Sequence, residues 1–242
     1  MYSVMSDEMF SIVAQGAKEL NISLPPVAEA AFKAYYDFLE KRGENVNLTA
    51  ISGIEDVARL HFLDSIAMLN AAAFKDSKVI DIGSGAGFPG VPLKIAEPSI
   101  DLTLLEATGK KVSFLTELCT VLDIKATHLN TRAEEAAHDR NEREQYDIAV
   151  ARAVAQLNIL CELCLPFVRV GGIFLAMKAI DSNDEIKEAK NAVTILGAEL
   201  KGVSEYIIPG TDIAHRIITI RKTVRTPDKY PRRFAKIQKS PL

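Results

Sequence analysis

The sequence predicts an α/β fold in which a seven-stranded, mostly parallel sheet carries helices on both faces and follows an N-terminal helical segment. From residue 79 onwards, short apolar runs alternate with amphipathic stretches, which is typical of parallel strands joined by crossover helices. Residues 6–73 instead keep a helical spacing of apolar side chains. The predicted units are a helical segment (1–75) packed on the core, an α/β domain (76–222) and a basic C-terminal tail (223–242).

Composition favours an ordinary soluble protein of the cytoplasm. The 242 residues are 48% hydrophobic and 25% charged, without a long uncharged apolar run. Asp7 and Glu8 precede a helix-periodic stretch rather than the apolar core of a signal peptide. The net charge is -3, yet residues 221–242 hold eight Lys or Arg against one Asp, a side-chain charge of +7. This basic end suits either docking to phosphates or simple solubility.

Three amphipathic helices are predicted in the first segment, the second closing at Gly43 and the third running from Ser52 to Ala73. In the third helix, His61 and Asp64 lie within one turn of each other. They form either a solvated surface pair or a pair that faces a pocket near a bound ligand.

A strand-turn-helix unit follows. Val79–Ile82 is predicted to be a buried strand, and Gly83, Gly85 and Gly87 leave its end without side-chain obstruction. Units of this kind hold nucleotides or nucleoside-like cofactors. The dinucleotide fingerprint needs a glycine where Phe88 stands, which disfavours an NAD-dependent oxidoreductase. The pattern instead resembles the first motif of the class I methyltransferases that use S-adenosylmethionine, in which the loop passes beneath the methionine part.

Two acidic residues accompany this glycine loop. Glu106 ends the second predicted strand, Leu102–Leu105, at a spacing from Gly83 where an acid accepts hydrogen bonds from both ribose hydroxyls. The alternative is a solvated carboxylate at a strand end. Asp81 either supports the loop backbone, which we favour, or holds the ammonium of the methionine part through a water.

Further candidates lie at the carboxyl ends of the parallel strands, where such sheets bind ligands. The third predicted strand, Ala126–Leu129, leads to Ala133 and Glu134, which either flank the adenine or simply begin a helix. The fourth strand ends in Arg152 and the fifth in Lys178. A charged side chain at such a place usually has a partner. An antiparallel pair is predicted to close the sheet, formed by Glu205–Ile208 and Arg216–Ile220.

The cysteines predict no chemistry. Cys161 and Cys164 have the spacing of a redox or metal pair, but no second pair of Cys or His accompanies them. Their leucine neighbours favour buried thiols on a core helix, so we predict no metal site.

Most of the chain resembles one family, the bacterial 16S ribosomal RNA guanine-N7 methyltransferases, also called glucose-inhibited division protein B. The resemblance is carried by Asn47–Ile51, His61–Ser65, the glycine loop through Pro92, Lys110–Leu115, Arg132–Glu134, Ala151–Ala155, Pro166, Lys178 and Tyr230–Arg233. It implies the class I methyltransferase fold and methyl transfer from S-adenosyl-L-methionine to N7 of one guanosine in 16S rRNA, free or in the small ribosomal subunit. It also implies cofactor contacts at Gly83, Phe88, Glu106, Ala107, Thr108, Ala133, Glu134 and Arg152. Members of the family often carry Asp where this chain has Glu106, and either acid can hold the ribose.

Guanine N7 carries a lone pair and no proton, so the reaction needs alignment with the sulfonium methyl group rather than a general base. No catalytic base is therefore predicted. Arg152 and Lys178 are candidates to bind O6 or N7 of guanine, a phosphate or the cofactor carboxylate. His61, Arg232 and Arg233 are further candidates for RNA contacts. Two alternatives stay open: a module that binds RNA or a ribosomal protein without turnover, and a methyltransferase that acts on a small molecule.

Overall fold

The computed structural model describes residues 2–42, 53–152 and 155–242. Four features of the sequence lie outside these ranges: the helix end at Gly43, the segment Asn47–Ile51, the capping residue Ser52 and the motif residues Ala153 and Val154. In the described part of the chain, no helix combines the length and apolar character needed to cross a membrane.

The N-terminal segment contains the three predicted helical stretches. α1 (Tyr2–Glu19) packs against α2 (Ala28–Arg42), and α2 turns its buried aromatic side chains toward the core. The third stretch is less regular than predicted and ends three residues earlier than Ala73. It consists of α3 (Ile54–Asp56), a π-helix (Val57–Leu63), α4 (Asp64–Ile66) and a 3₁₀ turn (Ala67–Asn70).

One sheet of seven strands forms the centre of the described structure, as predicted. Its strands are β1 (Lys78–Ile82), β2 (Asp101–Leu105), β3 (Ala126–Leu129), β4 (Tyr146–Arg152), β5 (Val168–Ala179), β6 (Ala198–Ile207) and β7 (Ala214–Lys222). The spatial order is β3-β2-β1-β4-β5-β7-β6, and β7 runs antiparallel to the other six strands. The order reverses between β1 and β4, so a crevice opens at the carboxyl ends of these two strands.

Helices cover both faces of the sheet. Successive residues of β1 point to opposite sides, so Val79 packs with α1, α2 and the third helical stretch, and Ile80 packs in a second core. The first core also holds α5 (Gly90–Ala96) and α6 (Gly109–Val121). The second holds α7 (Ala133–Ala136), α8 (Leu157–Cys164), α9 (Asn183–Glu188) and α10 (Lys190–Ile195).

Two details of these helices complete the description. The polar stretch after Ser182 is divided into two short helices, α9 and α10, which are separated at Ala189. Cys161 and Cys164 of α8 are buried free thiols, as predicted, and Cys119 of α6 is a buried free thiol as well.

The C-terminal residues 223–242 lie on the second core rather than projecting from it. They contain α11 (Phe234–Lys239), which contacts α8. Tyr230 is 6% exposed and Ile237 is fully buried. The division of the chain into three units remains a prediction, but its last unit is packed on the α/β domain along most of its length.

Candidate active site

The glycine loop adopts backbone conformations that favour glycine. Gly83, Gly85 and Gly87 have φ angles of 76°, 58° and 104°. A Cβ on Gly87 would lie 2.6 Å from the hydroxyl oxygen of Tyr35, whereas one on Gly85 would meet nothing closer than 3.8 Å. The Tyr35 hydroxyl donates a 2.6 Å hydrogen bond to the Ala86 carbonyl. The loop is therefore held by α2 at one end and offers bare backbone at Gly85.

Glu106 lies beside this loop, where its spacing predicts it. Its carboxylate accepts hydrogen bonds from the backbone N–H groups of Gly85 (3.2 Å) and Thr108 (2.8 Å), and the residue is buried. It is therefore not a solvated strand-end carboxylate. Asn130 was not predicted, although an Asn that follows β3 directly lies at the same edge of the sheet. Its side chain donates to the carbonyl oxygens of Glu106 (3.1 Å) and Ala107 (3.2 Å) and so holds the turn that follows β2.

Asp81 supports the backbone, which is the interpretation we favoured. Its Oδ2 accepts the N–H of Gly90 at 3.0 Å, at the start of α5. A Cβ on Gly90 would lie 2.8 Å from that oxygen, so the close approach requires glycine. The Oδ1 atom is buried and has no hydrogen-bond partner among the described residues. Burial raises the pKa of Asp81 to about 7, which brings its protonation into the physiological range.

Arg152 ends β4 among buried polar groups. Its Nη1 donates to the carbonyl oxygen of Leu60 at 3.0 Å and to Oδ2 of Asp64 at 3.3 Å. Its Nη2 donates to Nδ1 of His61 at 3.0 Å. The guanidinium also lies 5.0 Å from the ring centre of Phe88. Arg152 thus joins the third helical stretch to the residue that follows the glycine loop.

Asp64 is the acceptor that several donors share. Its Oδ2 accepts from Arg152, and its Oδ1 accepts hydrogen bonds from the Tyr206 hydroxyl at 2.6 Å and from Nδ1–H of His215 at 2.8 Å. The sequence did not point to Tyr206 or His215, because both lie on the antiparallel strands β6 and β7. His215 pairs in register with Ala179, directly after Lys178, so its place beside Asp64 follows from the register of β5 and β7, which the sequence does not show.

His61 lies between the glycine loop and Arg152. Its ring stacks on Phe88, with centroids 4.3 Å apart and planes 12° apart. The Tyr35 ring also stacks on Phe88, with the ring centroids 5.3 Å apart. Burial, with a contribution from the nearby Arg152 charge, lowers the pKa of His61 to about 3. The imidazole is therefore neutral at pH 7, which leaves Nδ1 able to accept the hydrogen bond from Arg152.

A cavity of about 540 Å³ opens beside this network. The predicted residues His61, Arg152 and Lys178 line it, so the structure places His61 and its neighbour Asp64 in a pocket wall rather than on the surface. Lys178 donates to the carbonyl oxygen of Ala155 and forms a 2.7 Å ion pair with Glu185. Its ammonium is thus oriented from two sides at the cavity edge. The wall is completed by Glu185 itself and by Leu60, Met177, Ala179, Ile213 and His215.

The remaining predicted residues lie outside the cavity. Ala133 is buried at the start of α7, at the end of β3, and Glu134 beside it is half-buried. Arg232 is bound to Glu162, whereas Arg233 is exposed. Within the ranges that the structure covers, no group of three His, Cys, Asp or Glu side chains is arranged to hold a metal ion.

These elements fit a nucleoside-like cofactor such as S-adenosylmethionine. The space above Gly85 is open, and Glu106 provides two carboxylate oxygens beside it. Ala133 offers a small buried surface at the neighbouring strand end. The cavity with Arg152 and Lys178 adjoins the loop on its other side.

Comparison with known proteins decides the family. A family model described as rRNA small subunit methyltransferase G matches residues 28–210. The chain belongs to this family. The Ribosomal RNA small subunit methyltransferase G of Caldanaerobacter subterraneus subsp. tengcongensis is 45% identical over 98% of this chain and 100% of its own length. That of Alkaliphilus oremlandii is 42% identical over 97% of this chain and 99% of its own.

Among solved structures, Pyrococcus horikoshii TYW2 in complex with MeSAdo superimposes with a TM-score of 0.52 at 14% identity. The match covers 66% of this chain and 62% of that one. A likeness at this level of identity concerns the fold alone, and the fold is the class I methyltransferase fold that the sequence predicts. The family model matches a range that includes the glycine loop, Glu106 and Arg152.

Proposed function

We propose that this protein transfers a methyl group from S-adenosylmethionine to N7 of a specific guanosine in 16S ribosomal RNA, and that Arg152 lies where cofactor and base meet. As a member of the rRNA small subunit methyltransferase G family, it is an S-adenosylmethionine-dependent methyltransferase of ribosomal RNA. The observation that carries the placement of the target base is the 5.0 Å distance between the Arg152 guanidinium and the Phe88 ring. This contact joins the wall of the open cavity to the residue that directly follows the glycine loop.

The cofactor contacts in this proposal follow the edge of the sheet. The loop from Gly83 to Gly87 underlies the methionine part, with Phe88 closing its far end. Glu106 takes the ribose hydroxyls, and the backbone of Ala107 and Thr108 continues that wall. Ala133 and Glu134 flank the adenine. The open space at Gly85 and the buried carboxylate of Glu106 support this arrangement.

The chemistry demands position more than proton transfer. When bound, S-adenosylmethionine supplies an activated methyl group: its carbon–sulfur bond breaks as the bond to N7 forms, and the methylated base gains a positive charge. N7 has no proton, so no base is required. A donor hydrogen-bonded to N7 would occupy the lone pair that must attack. We therefore propose that Arg152 and Lys178 bind O6 of the base or a phosphate, so that N7 keeps its lone pair free.

The carboxylates near these cations have a role in the same proposal. Asp64 pairs with Arg152, and Glu185 pairs with Lys178. Positive charge that develops on the guanine ring is repelled less strongly by a neighbouring cation when that cation is already paired with a carboxylate. His61, kept neutral by burial, adds no charge to the cavity and holds the guanidinium in place through Nδ1.

The decisive experiment uses tritiated S-adenosylmethionine and unmodified 16S RNA, both as a transcript and in small subunits that lack the modification. The expected result is label on a single guanine, released by the mild base and aniline treatment that cleaves at N7-methylguanosine. Label on another atom would keep the fold and overturn the assignment of N7. Absence of label, with cofactor binding intact by calorimetry, would favour a binding module without turnover.

An Arg152→Gln variant tests the placement. We expect methyl transfer to fall by about 100-fold, because a misaligned base loses most of the advantage of positioning. Arg169→Gln is the matched control: Arg169 is an exposed arginine of β5 that pairs with Asp147. An Arg152→Gln enzyme with wild-type turnover and cofactor affinity would remove Arg152 from the site.

The finer points of the substrate belong to the proposal as well. We propose that the protein works in the cytoplasm, where ribosomal RNA is assembled into subunits, and without a metal ion. Comparing the transcript with the small subunit in the labelling experiment distinguishes free RNA from the assembled particle as the substrate.

A further inference from the structure

Charge is distributed very unevenly between the C-terminal end and the rest of the chain. Residues 1–220 hold 21 Lys and Arg against 31 Asp and Glu, a net side-chain charge of -10. Residues 221–242 carry +7. RNA is a polyanion, so most of this protein repels it over a distance and the C-terminal end attracts it.

The C-terminal strap, as we name residues 223–242, is fixed to the domain by buried polar contacts. Arg232 is bound to the fully buried Glu162 of α8 through Nε at 2.8 Å and Nη2 at 2.6 Å, and its backbone N–H adds a third bond. Arg143 donates to the carbonyl oxygens of Tyr230 (2.9 Å) and Thr226 (2.9 Å). These contacts hold the strap in a single position on the protein surface.

The outer side of the strap presents cations. Arg233, Lys236 and Lys239 are exposed at a spacing of three residues, while Phe234 and Ile237 of α11 face the domain. Within the described ranges, none of these three cations lies within 4.0 Å of a carboxylate. A surface with ordered backbone and unneutralised cations is suited to phosphate groups.

This basic surface reaches the cofactor edge of the sheet. Arg132 is exposed, directly precedes Ala133 and lies 5.7 Å from the ring centre of Phe234 in the strap. The cations of α11 are therefore continuous with the turn that we assign to the adenine.

We infer that the C-terminal strap and the adjoining Arg132 form a docking surface for the phosphate backbone of the RNA substrate. Its cations are Arg132 together with Arg233, Lys236 and Lys239 of the strap. This inference rests on the proposed function. Arg232, a candidate for RNA contact from the sequence, has a different role here: its guanidinium is engaged by Glu162 and fastens the surface in place. The strap supplies affinity that does not depend on sequence, and the cavity supplies the choice of base.

The test is a triple variant, Arg233→Gln, Lys236→Gln and Lys239→Gln, with binding to a 16S transcript measured at several KCl concentrations. The plot of log K against log salt has a negative slope. Each lost phosphate contact reduces the magnitude of that slope by about 0.7 to 0.9, so three reduce it by about 2 to 3. We expect KM for RNA to rise at least about tenfold at low salt, with kcat and the affinity for S-adenosylmethionine unchanged, because the cavity is untouched.

A control variant removes the same charge elsewhere, at the exposed Lys18, Lys75 and Lys125. Lys75 and Lys125 precede β1 and β3, at the opposite edge of the sheet. A triple strap variant with the wild-type salt slope overturns the inference, and so does a control variant that weakens RNA binding equally. Failure of the proposed function is a separate result, since it would leave wild-type protein unable to label the transcript at all.

Discussion

Two buried carboxylates, each paired with an arginine, have different surroundings in this protein. Asp64 and Glu162 have side-chain exposures of 3% and 0%, and their partners Arg152 and Arg232 have 14% and 16%. Glu162 binds Arg232 through two short parallel contacts of 2.8 and 2.6 Å. Asp64 meets Arg152 at 3.3 Å and divides its oxygens among further donors.

The difference shows how the Glu162–Arg232 pair can attach one segment to another, while the Asp64–Arg152 pair can form part of a binding site. A two-pronged pair uses the guanidinium donors on a single partner and fixes the chain geometrically. Arg152 spreads its donors over a carbonyl, an imidazole and a carboxylate, and it faces an open cavity. Its longer contacts are those that a substrate oxygen can share or replace.

The largest effect that would test this contrast is expected from Asp64→Asn. The change removes the counter-charge of Arg152 and His215 while keeping the size of the side chain. We expect kcat for RNA methylation to fall by about 100-fold, because the guanidinium loses its alignment at the base. The measurement is single-turnover methyl transfer, with calorimetry of S-adenosylmethionine binding as the test of folding.

Asp184→Asn is the control, since Asp184 forms an exposed pair with Lys187. If Asp64→Asn retained the wild-type rate within twofold, the Asp64 network would be structural, as the Glu162 pair is.

Glu162→Gln should act on stability instead. It leaves Arg232 without its buried counter-charge, and we expect the free energy of unfolding to drop by about 3 kcal/mol, with turnover per folded molecule at low temperature nearly unchanged. Urea unfolding measures the drop. The double variant Glu162→Leu with Arg232→Met should recover most of the loss, because no charge is left buried. A single variant as stable as wild type would show that the strap is held by its apolar contacts alone.

The smallest effect concerns two histidines that touch the Asp64 network. The hydrogen bond to Asp64 raises the pKa of His215 above its usual 6.5, whereas burial lowers that of His61 to about 3. Following the ring protons by NMR between pH 4 and 9 should show His215 titrating above pH 6.5 and His61 not titrating. Asp64→Asn should remove the rise for His215. Similar titration of both rings would contradict the assigned network.

These shifts act on stability with opposite signs. The contribution of His215 to the free energy of unfolding is fully present below pH 6.5, and it is lost as the pH rises through the pKa that His215 has in the folded protein. The unfolded chain protonates His61 near pH 6.5 while the folded chain does not. The free energy of unfolding therefore falls as the pH drops from 6.5 toward 3, by up to about 1.4 kcal/mol per pH unit from this group.

The sheet and the glycine loop could be predicted because their signals are local. Apolar runs bounded by turn residues identify the strands, and parallel strands bring their carboxyl ends to one edge. For this reason Glu106, Arg152 and Lys178, each the last residue of a predicted strand or the next one, could be proposed for one site from sequence alone.

Other parts of the site depend on contacts between distant segments, which no local pattern records. Tyr206 and His215 reach Asp64 from more than 140 positions away, through the register of antiparallel strands. The π-helix that carries His61 looks like an ordinary amphipathic helix in the sequence. The roles of Arg232 and Arg233 differ because Glu162 is buried beneath only one of them, and adjacent basic residues give no hint of this.

The hydrogen bond from the Tyr35 hydroxyl to the Ala86 carbonyl limits how far the chain can be shortened from its N-terminal side. We expect the smallest unit that keeps the glycine loop in place to begin at α2 and not at the first strand. Shortening the chain to its sheet would release the loop at Ala86 and expose the stacked face of Phe88. The family match begins at residue 28, the first residue of α2. Any transplant of this site onto another scaffold must therefore include that helix.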